Sequence, residues 1–416
     1  MNQFLNYEII EHKSGLKILL LPMKGYETSY AILGANYGST DTVFYKDGKK
    51  IKVPAGTAHF LEHKLFENED CDAFSKYAQT GASANAFTSF DKTCYLFRTT
   101  RNFEKSLEIL LDFSLNPFFS EETVKKEQGI IAEEIKMYQD NPGWQAFFGM
   151  LDGMYENHPV KTDIAGSVQS ISEITPEILY DCYGAFYNVH NMVLAVSGKV
   201  DKSEILSVCD RLIKPQKKVE ILKETVIEPE NVVKNKVYKE MKGIIPVFSL
   251  GFKEKIDPKN ILKTELLSSI ALDMFVGDIS PLYKNMYNSG IINDSFSTEV
   301  FSGRDYLSFV FEGEAGNPEA VAKSVIKEAE RIKNDFPKKL FEISKKEFYG
   351  RSARAFDSVE ATANLGVSMY FANHEPLDAI KMLESITAEE TEAYIKTILN
   401  PERSVLSVVG NGGTEK

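Results

Sequence analysis

The sequence predicts an α+β protein of two homologous tandem domains, each a mainly antiparallel β-sheet with helices packed on one face. Three observations predict it. The 416 residues exceed what one ordinary hydrophobic core organises. Residues 174–198 (ITPEILYDCYGAFYNVHNMVLAVSG) and 386–410 (ITAEETEAYIKTILNPERSVLSVVG) align without a gap. In both halves, β-rich stretches and amphipathic helical stretches alternate in an order that suits antiparallel sheets better than a doubly wound parallel one.

The elements follow in order. In the first half, LKILLLPM (16–23), ETSYAILGANYG (27–38) and SANAFTSFDKTCYLFRTT (83–100) read as strands. Between them, Pro54 and Gly56 precede a helix capped by Thr57 and running through Lys64. NFEKSLEILLDFSLN (102–116) and KKEQGIIAEEIKMYQ (125–139) are helical. The repeat closes this half as a Thr N-cap, an amphipathic helix, a turn and a strand ending in Gly. Ile174, Thr175, Glu177, Asn188, Leu194, Val196 and Gly198 face identical residues at Ile386, Thr387, Glu389, Asn400, Leu406, Val408 and Gly410. That match marks a tandem duplication. The second half adds strands at IPVFSLGFK (245–253) and RDYLSFVFEG (304–313) and a helix at EAVAKSVIKEAERIKNDF (319–336). The predicted domains are 1–213 and 236–416, joined by the charged, Pro-containing segment 214–235, whose middle could also form an edge strand.

Composition bounds the function. Apolar residues make up 43% and charged residues 26%, the balance of a folded globular chain. A net charge of −12 disfavours nucleic acid as a partner, which needs Lys and Arg to displace counterions. It permits a basic peptide, although acidity for solubility is the plainer reading. No apolar run is long enough to span a bilayer, and the first residues lack a signal-peptide pattern, so the expectation is a cytoplasmic protein without a membrane partner. Cys71, Cys94, Cys182 and Cys209 are scattered, with no CxxC pair, and are expected as buried or free thiols.

The chemistry concentrates at GTAHFLEHKLFE (56–67). His59 and His63 are i and i+4 on a helix, so their rings project from one face and can share a cation. Glu62 sits beside them, within reach of a water on that cation. This H-x-x-E-H order is the inverted zincin signature, with two His as zinc ligands and Glu as general base. A zinc hydrolase also needs a third protein ligand and an open position for water. Glu127 and Glu134 are seven residues apart, within about 20° of one another on one helical face. Glu134 is the candidate third ligand and Glu127 the candidate for orienting a ligand or the water. Glu133 points about 100° away from Glu134 and is the weaker candidate. His12, His158, His190 and His374 have no comparable neighbours and are expected in structural or surface roles.

HFLEH, the downstream glutamates and SANAFTSFDKTCY between them resemble the pitrilysin/insulinase (M16) family of zinc peptidases, in particular its bacterial, mitochondrial-processing-peptidase-like subfamily. HPVKTDIAGSVQSI (158–171) and YNVHNMVLAVSG (187–198) match further family blocks. The resemblance implies one zinc per chain on His59, His63 and Glu134, with Glu62 as base and Glu127 in support. It also implies a peptide substrate paired by β-addition to the strand carrying Asn85 and Ala86, and cleavage within a closed chamber. The second half departs from the pattern. Where family members that act alone carry an Arg and a Tyr that hold substrate, SPLYKNMYNSGIINDSFS (280–297) places Tyr287 at the Arg position and Asp294 or Ser295 at the Tyr position. No H-x-x-E-H occurs there. The expectation is therefore the zinc-bearing subunit of a heterodimer, with a homologous chain lacking H-x-x-E-H as partner. The alternatives are a self-sufficient homodimer and a non-catalytic scaffold subunit of the same fold.

Overall fold

A computed structural model describes residues 5–67 and 72–411. The chain forms two compact units. The first takes residues up to Ile135 together with Asp163–Thr225 and Ala353–Asp378; the second takes Lys136–Thr162, Val226–Ser352 and residues from Ala379 onward.

The first unit holds strands β1 (Glu8–Glu11), β2 (Lys17–Pro22), β3 (Ser29–Ala35), β4 (Val43–Lys46), β5 (Lys49–Lys52), β6 (Ser83–Thr88), β7 (Thr93–Thr99), β8 (Met192–Gly198) and β9 (Ile221–Lys223). Six of them form one sheet in the order β1-β2-β8-β3-β7-β6, and β5-β4-β9 form a small second one. Every pair in the larger sheet is antiparallel except β2 with β8. Strand β6 is an edge. The second unit holds β10 (Lys236–Glu240), β11 (Val247–Glu254), β12 (Ser297–Ser302), β13 (Leu307–Glu314) and β14 (Ser404–Gly410) in the order β10-β14-β11-β13-β12. Here β14 pairs in parallel with β10 and antiparallel with β11, as β8 does with β2 and β3.

The duplicated segments thus occupy the same place in two sheets, and their identical residues do the same local work. The Thr175 hydroxyl accepts from the Ile178 N–H and the Thr387 hydroxyl from the Glu390 N–H, each capping its helix. Asn188 and Asn400 then cap the short turns leading into β8 and β14, accepting from the N–H of His190 and of Glu402. The two-domain α+β expectation matches this architecture.

The compact units do not coincide with cuts at 213 and 236. The helix Pro142–Met154 comes from the first half of the chain yet packs on β11 and β14, and the helix Val359–Phe371 comes from the second half yet packs on β8 and β3. The cause is burial. All seven residues of β3 and all seven of β8 are buried, so that sheet needs apolar cover on both faces. Ala363 and Val367 of Val359–Phe371 help supply it, while Ala146, Met150 and Met154 of Pro142–Met154 do the same for the second sheet.

The predicted linker is not free chain either. Its middle forms β9, the edge strand allowed for it, paired with β4. Lys223 of β9 bonds Asp41 at 2.7 Å and Asn36 at 2.9 Å. Farther on, the Glu228 carboxylate accepts the backbone N–H groups of Glu156, Asn157 and His158, each at 2.8 Å.

Candidate metal centre

The helix Thr57–Leu65 buries Ala58, Phe60, Leu61 and Leu65 in the core of the first unit. Its cap differs from the expectation. Gly56 holds the cap position with φ 90°, and a Cβ there would lie 2.5 Å from the Ala165 carbonyl oxygen, so only glycine fits. Thr57 instead donates its hydroxyl to the Pro54 carbonyl at 2.7 Å. With Phe60 and Leu61 committed to the core, the i, i+4 spacing leaves His59 and His63 side by side, their ring centroids 4.6 Å apart.

The helix Glu121–Gln139 anchors through Val124, Ile131 and Ile135 and brings Glu127 and Glu134 to these rings. His59 Nε2 lies 3.7 Å from Glu134 Oε1, and His63 Nε2 lies 3.5 Å from Glu134 Oε2. Glu127 Oε1 is 3.0 Å from His63 Nδ1. A carboxylate only accepts, so His63 carries a proton on Nδ1, which leaves Nε2 as the nitrogen that faces Glu134.

Among the described residues, His59, His63 and Glu134 form the one group of potential metal ligands, their donor atoms within 4.8 Å of one another. The fit to zinc can be tested on distances. Ligand atoms at about 2.1 Å from a tetrahedral zinc stand about 3.4 Å apart. Each imidazole meets its own oxygen of Glu134 at a separation of that order, 3.7 Å for His59 and 3.5 Å for His63, and two imidazoles with one carboxylate are a zinc donor set that leaves a fourth position open.

Electrostatics agree. Burial pushes the His59 imidazole down to about 3, with His63 adding to the effect. His59 is therefore held in the neutral form that binds metal. For His63 burial acts the same way, but the Glu127 hydrogen bond and the charges of Glu62, Glu127 and Glu134 outweigh it and raise the imidazole. Burial raises the Glu62 carboxyl, opposed by Thr88 and His63 and reinforced by Glu134. Glu62, Glu127 and Glu134 thus all act on His63, and a divalent ion between the candidate ligands would offset their charge.

Glu62 itself is 9% exposed. Its Oε2 accepts a hydrogen bond from Thr88 Oγ1 at 2.6 Å. Thr88 was not among the sequence candidates. It lies inside SANAFTSFDKTCY, but only its hydrogen bond to Glu62 shows that this residue of the strand reaches the motif helix. Asn85 and Ala86 lie on β6, the sheet edge, where the Asn85 side chain accepts the Ala86 N–H at 2.9 Å. Glu133 is exposed and stands outside the ligand group.

The other histidines sit in local contacts. His12 bonds Ser14 and Asp210, His158 bonds Asp305, His190 meets the Gln216 carbonyl, and His374 lies 3.7 Å from Asp378. Cys94, Cys182 and Cys209 are buried free thiols, and Cys71 lies outside the described residues. In the second unit the Tyr287 hydroxyl donates to Asp294 at 2.8 Å, and Ser295 bonds Asn293.

Two tandem α+β domains with an H-x-x-E-H helix and a facing glutamate helix define a class, the metallopeptidase-like proteins with an inverted zinc motif. Residues 49–167 match the insulinase domain of peptidase family M16, and residues 173–348 match the peptidase M16 inactive domain. A Bacillus subtilis protein named uncharacterized zinc protease YmfH is 38% identical over 399 residues, covering 94% of this chain and 93% of its own. An uncharacterized zinc protease of Rickettsia felis is 32% identical over 221 residues, 52% of either chain. The crystal structure of an M16-like chain from Alicyclobacillus acidocaldarius superposes with a TM-score of 0.94 at 30% identity, covering 98% of this chain and 99% of that one. A protease from Helicobacter pylori shares the fold at 18% identity, with a TM-score of 0.85 over 98% of this chain and 100% of that one. The chain belongs to peptidase family M16.

Proposed function

We propose that the protein is a zinc-dependent endopeptidase that cleaves peptides or unfolded segments. The observation that carries this reading is the convergence of His59, His63 and Glu134 around one point, with the buried Glu62 on the same helix. A zinc ion bound there would supply Lewis acidity toward the scissile carbonyl and acidify an attacking water. Glu62 is the base in this reading: it would take the proton of the attacking water as the oxygen adds to the carbonyl carbon and give it to the amide nitrogen as the C–N bond breaks. Glu127 holds His63 in the metal-binding tautomer through Nδ1. At the β6 edge an extended peptide would take the place of the Asn85 side chain on the Ala86 N–H, a backbone mode that tolerates varied sequence.

The partner belongs to the same proposal. No cationic fork stands at Tyr287 and Asp294, whose side chains bond each other. This supports a zinc-bearing subunit that works with a homologous chain lacking H-x-x-E-H, which would contribute the substrate-holding Arg and Tyr. The test is metal analysis joined to cleavage of a quenched peptide, for the chain alone and mixed with such a homologue. The expected result is one zinc per chain, chelator-sensitive cleavage, and a rate that rises on mixing. Absence of bound zinc would refute the enzyme reading; full activity of the chain alone would refute the partner.

A further inference from the structure

We infer that Thr88 is a positioning residue for the general base: its hydroxyl fixes the rotamer of Glu62, and so sets the rate of the proton-transfer step. The inference rests on the reading of Glu62 as that base.

The proton accounting is unambiguous. A hydroxyl has one proton to give, and an ionised carboxylate only accepts. Thr88 Oγ1 stands 2.6 Å from Glu62 Oε2 and 3.4 Å from Thr93 Oγ1. Thr93 commits its own proton to the Tyr37 carbonyl at 2.9 Å. That leaves Thr93 Oγ1 only as an acceptor, and of the two acceptors the Thr88 proton goes to the nearer and charged one, Glu62 Oε2 at 2.6 Å rather than Thr93 Oγ1 at 3.4 Å. Among the described residues this is the only side-chain hydrogen bond the Glu62 carboxylate makes. One oxygen is tethered, and the other is left for the water.

The tether is itself rigid. Thr88 lies directly opposite Thr93 in the antiparallel pair of β6 and β7. The turn beyond it is closed by the Ser89 N–H on the Lys92 carbonyl at 2.8 Å. It is also pinned from outside, since the Ser39 N–H bonds the Ser89 carbonyl at 3.0 Å and the Thr40 hydroxyl bonds the Phe90 carbonyl at 2.6 Å. Gly38 lets this approach happen, because a Cβ there would stand 2.4 Å from the Asp91 nitrogen. A side chain held this way can hold another. A buried carboxylate without the tether has several rotamers, only some of which aim an oxygen at the space between His59 and His63.

The experiment compares Thr88→Val, Thr88→Ala and Thr88→Ser with the parent, zinc-loaded, under conditions in which the parent turns over a quenched peptide. Valine keeps the shape and removes the hydroxyl; serine keeps the hydroxyl. Thr88→Val should lower kcat about 10- to 100-fold while KM stays within about twofold, the usual cost of losing a supporting hydrogen bond. Zinc content should remain one per chain, and a crystal structure of the variant should show the Glu62 carboxylate turned from its parent position. Thr88→Ser should return kcat to within about threefold of the parent. Thr88→Ala carries the same expectations as valine and covers a valine variant that fails to fold. The inference is overturned if kcat of the hydroxyl-free variants stays within about twofold of the parent, if the serine variant is as impaired as they are, or if the loss tracks zinc content. Glu62→Gln serves as control. Full turnover in that variant would defeat the enzyme reading itself, whereas a dead Glu62→Gln beside an active Thr88→Val defeats only the role of Thr88.

Discussion

His59 and His63 share a helix face but meet different surroundings, and the difference assigns their neighbours. Burial keeps His59 neutral, whereas the carboxylates around His63 draw a proton toward it. Glu134 approaches Nε2 of both rings, while Glu127 meets the far nitrogen of one. Glu134→Ala should therefore remove zinc from the purified chain, and activity with it. Glu127→Ala should retain most of the zinc and lose about 10- to 100-fold in turnover. Metal analysis beside kinetics checks both, and the reverse pattern would mean the two roles are exchanged. The meeting of His59, His63 and Glu134 was legible in the sequence because helical periodicity converts spacing into direction. Thr88 was not, because its contact depends on which strand lies beside which helix, and local spacing carries no such information. The Gly56 cap was missed for a similar reason: it is set by the Ala165 carbonyl, more than a hundred residues away in the chain.

At the level of elements, β11 ends on a buried carboxyl. Glu254 is 9% exposed, accepts the Leu399 N–H at 2.6 Å and faces Arg403. Burial pushes it up to about 7, against the pull of Arg403, the Leu399 N–H and Lys333. A carboxyl raised in the folded state stabilises the fold while protonated, and that contribution is lost as pH climbs from the unfolded value of 4.5 through about 7. The second unit should therefore lose up to about 3 kcal/mol between pH 5 and pH 8 from this group. Glu254→Gln should remove that part of the dependence and raise the urea midpoint at pH 8 more than at pH 5. An unchanged pH slope would contradict the account. Strand and helix positions were largely legible, since alternation and caps are local signals. The close agreement of the Thr175 and Thr387 caps, and of the Asn188 and Asn400 turns, shows why the repeat could be read without a structure.

For the whole molecule, the duplication revealed two similar sheets but not which helices cover them. Pro142–Met154 and Val359–Phe371 each join the unit built mainly from the other half of the chain. LKILLLPM carried a hint, because a continuous apolar run signals a strand buried on both faces, and residues 18–21 are all buried. The source of the second cover is a long-range choice that periodicity does not record. The central claim is that this two-domain chain brings a metal-bound catalytic pocket and its own base. The most direct test measures zinc content and peptide turnover together for the parent and Glu62→Gln, each alone and with the homologous partner. The account predicts one zinc per chain in both proteins and turnover at least about a hundredfold lower in the variant under either condition. Equal turnover at equal zinc content would contradict it.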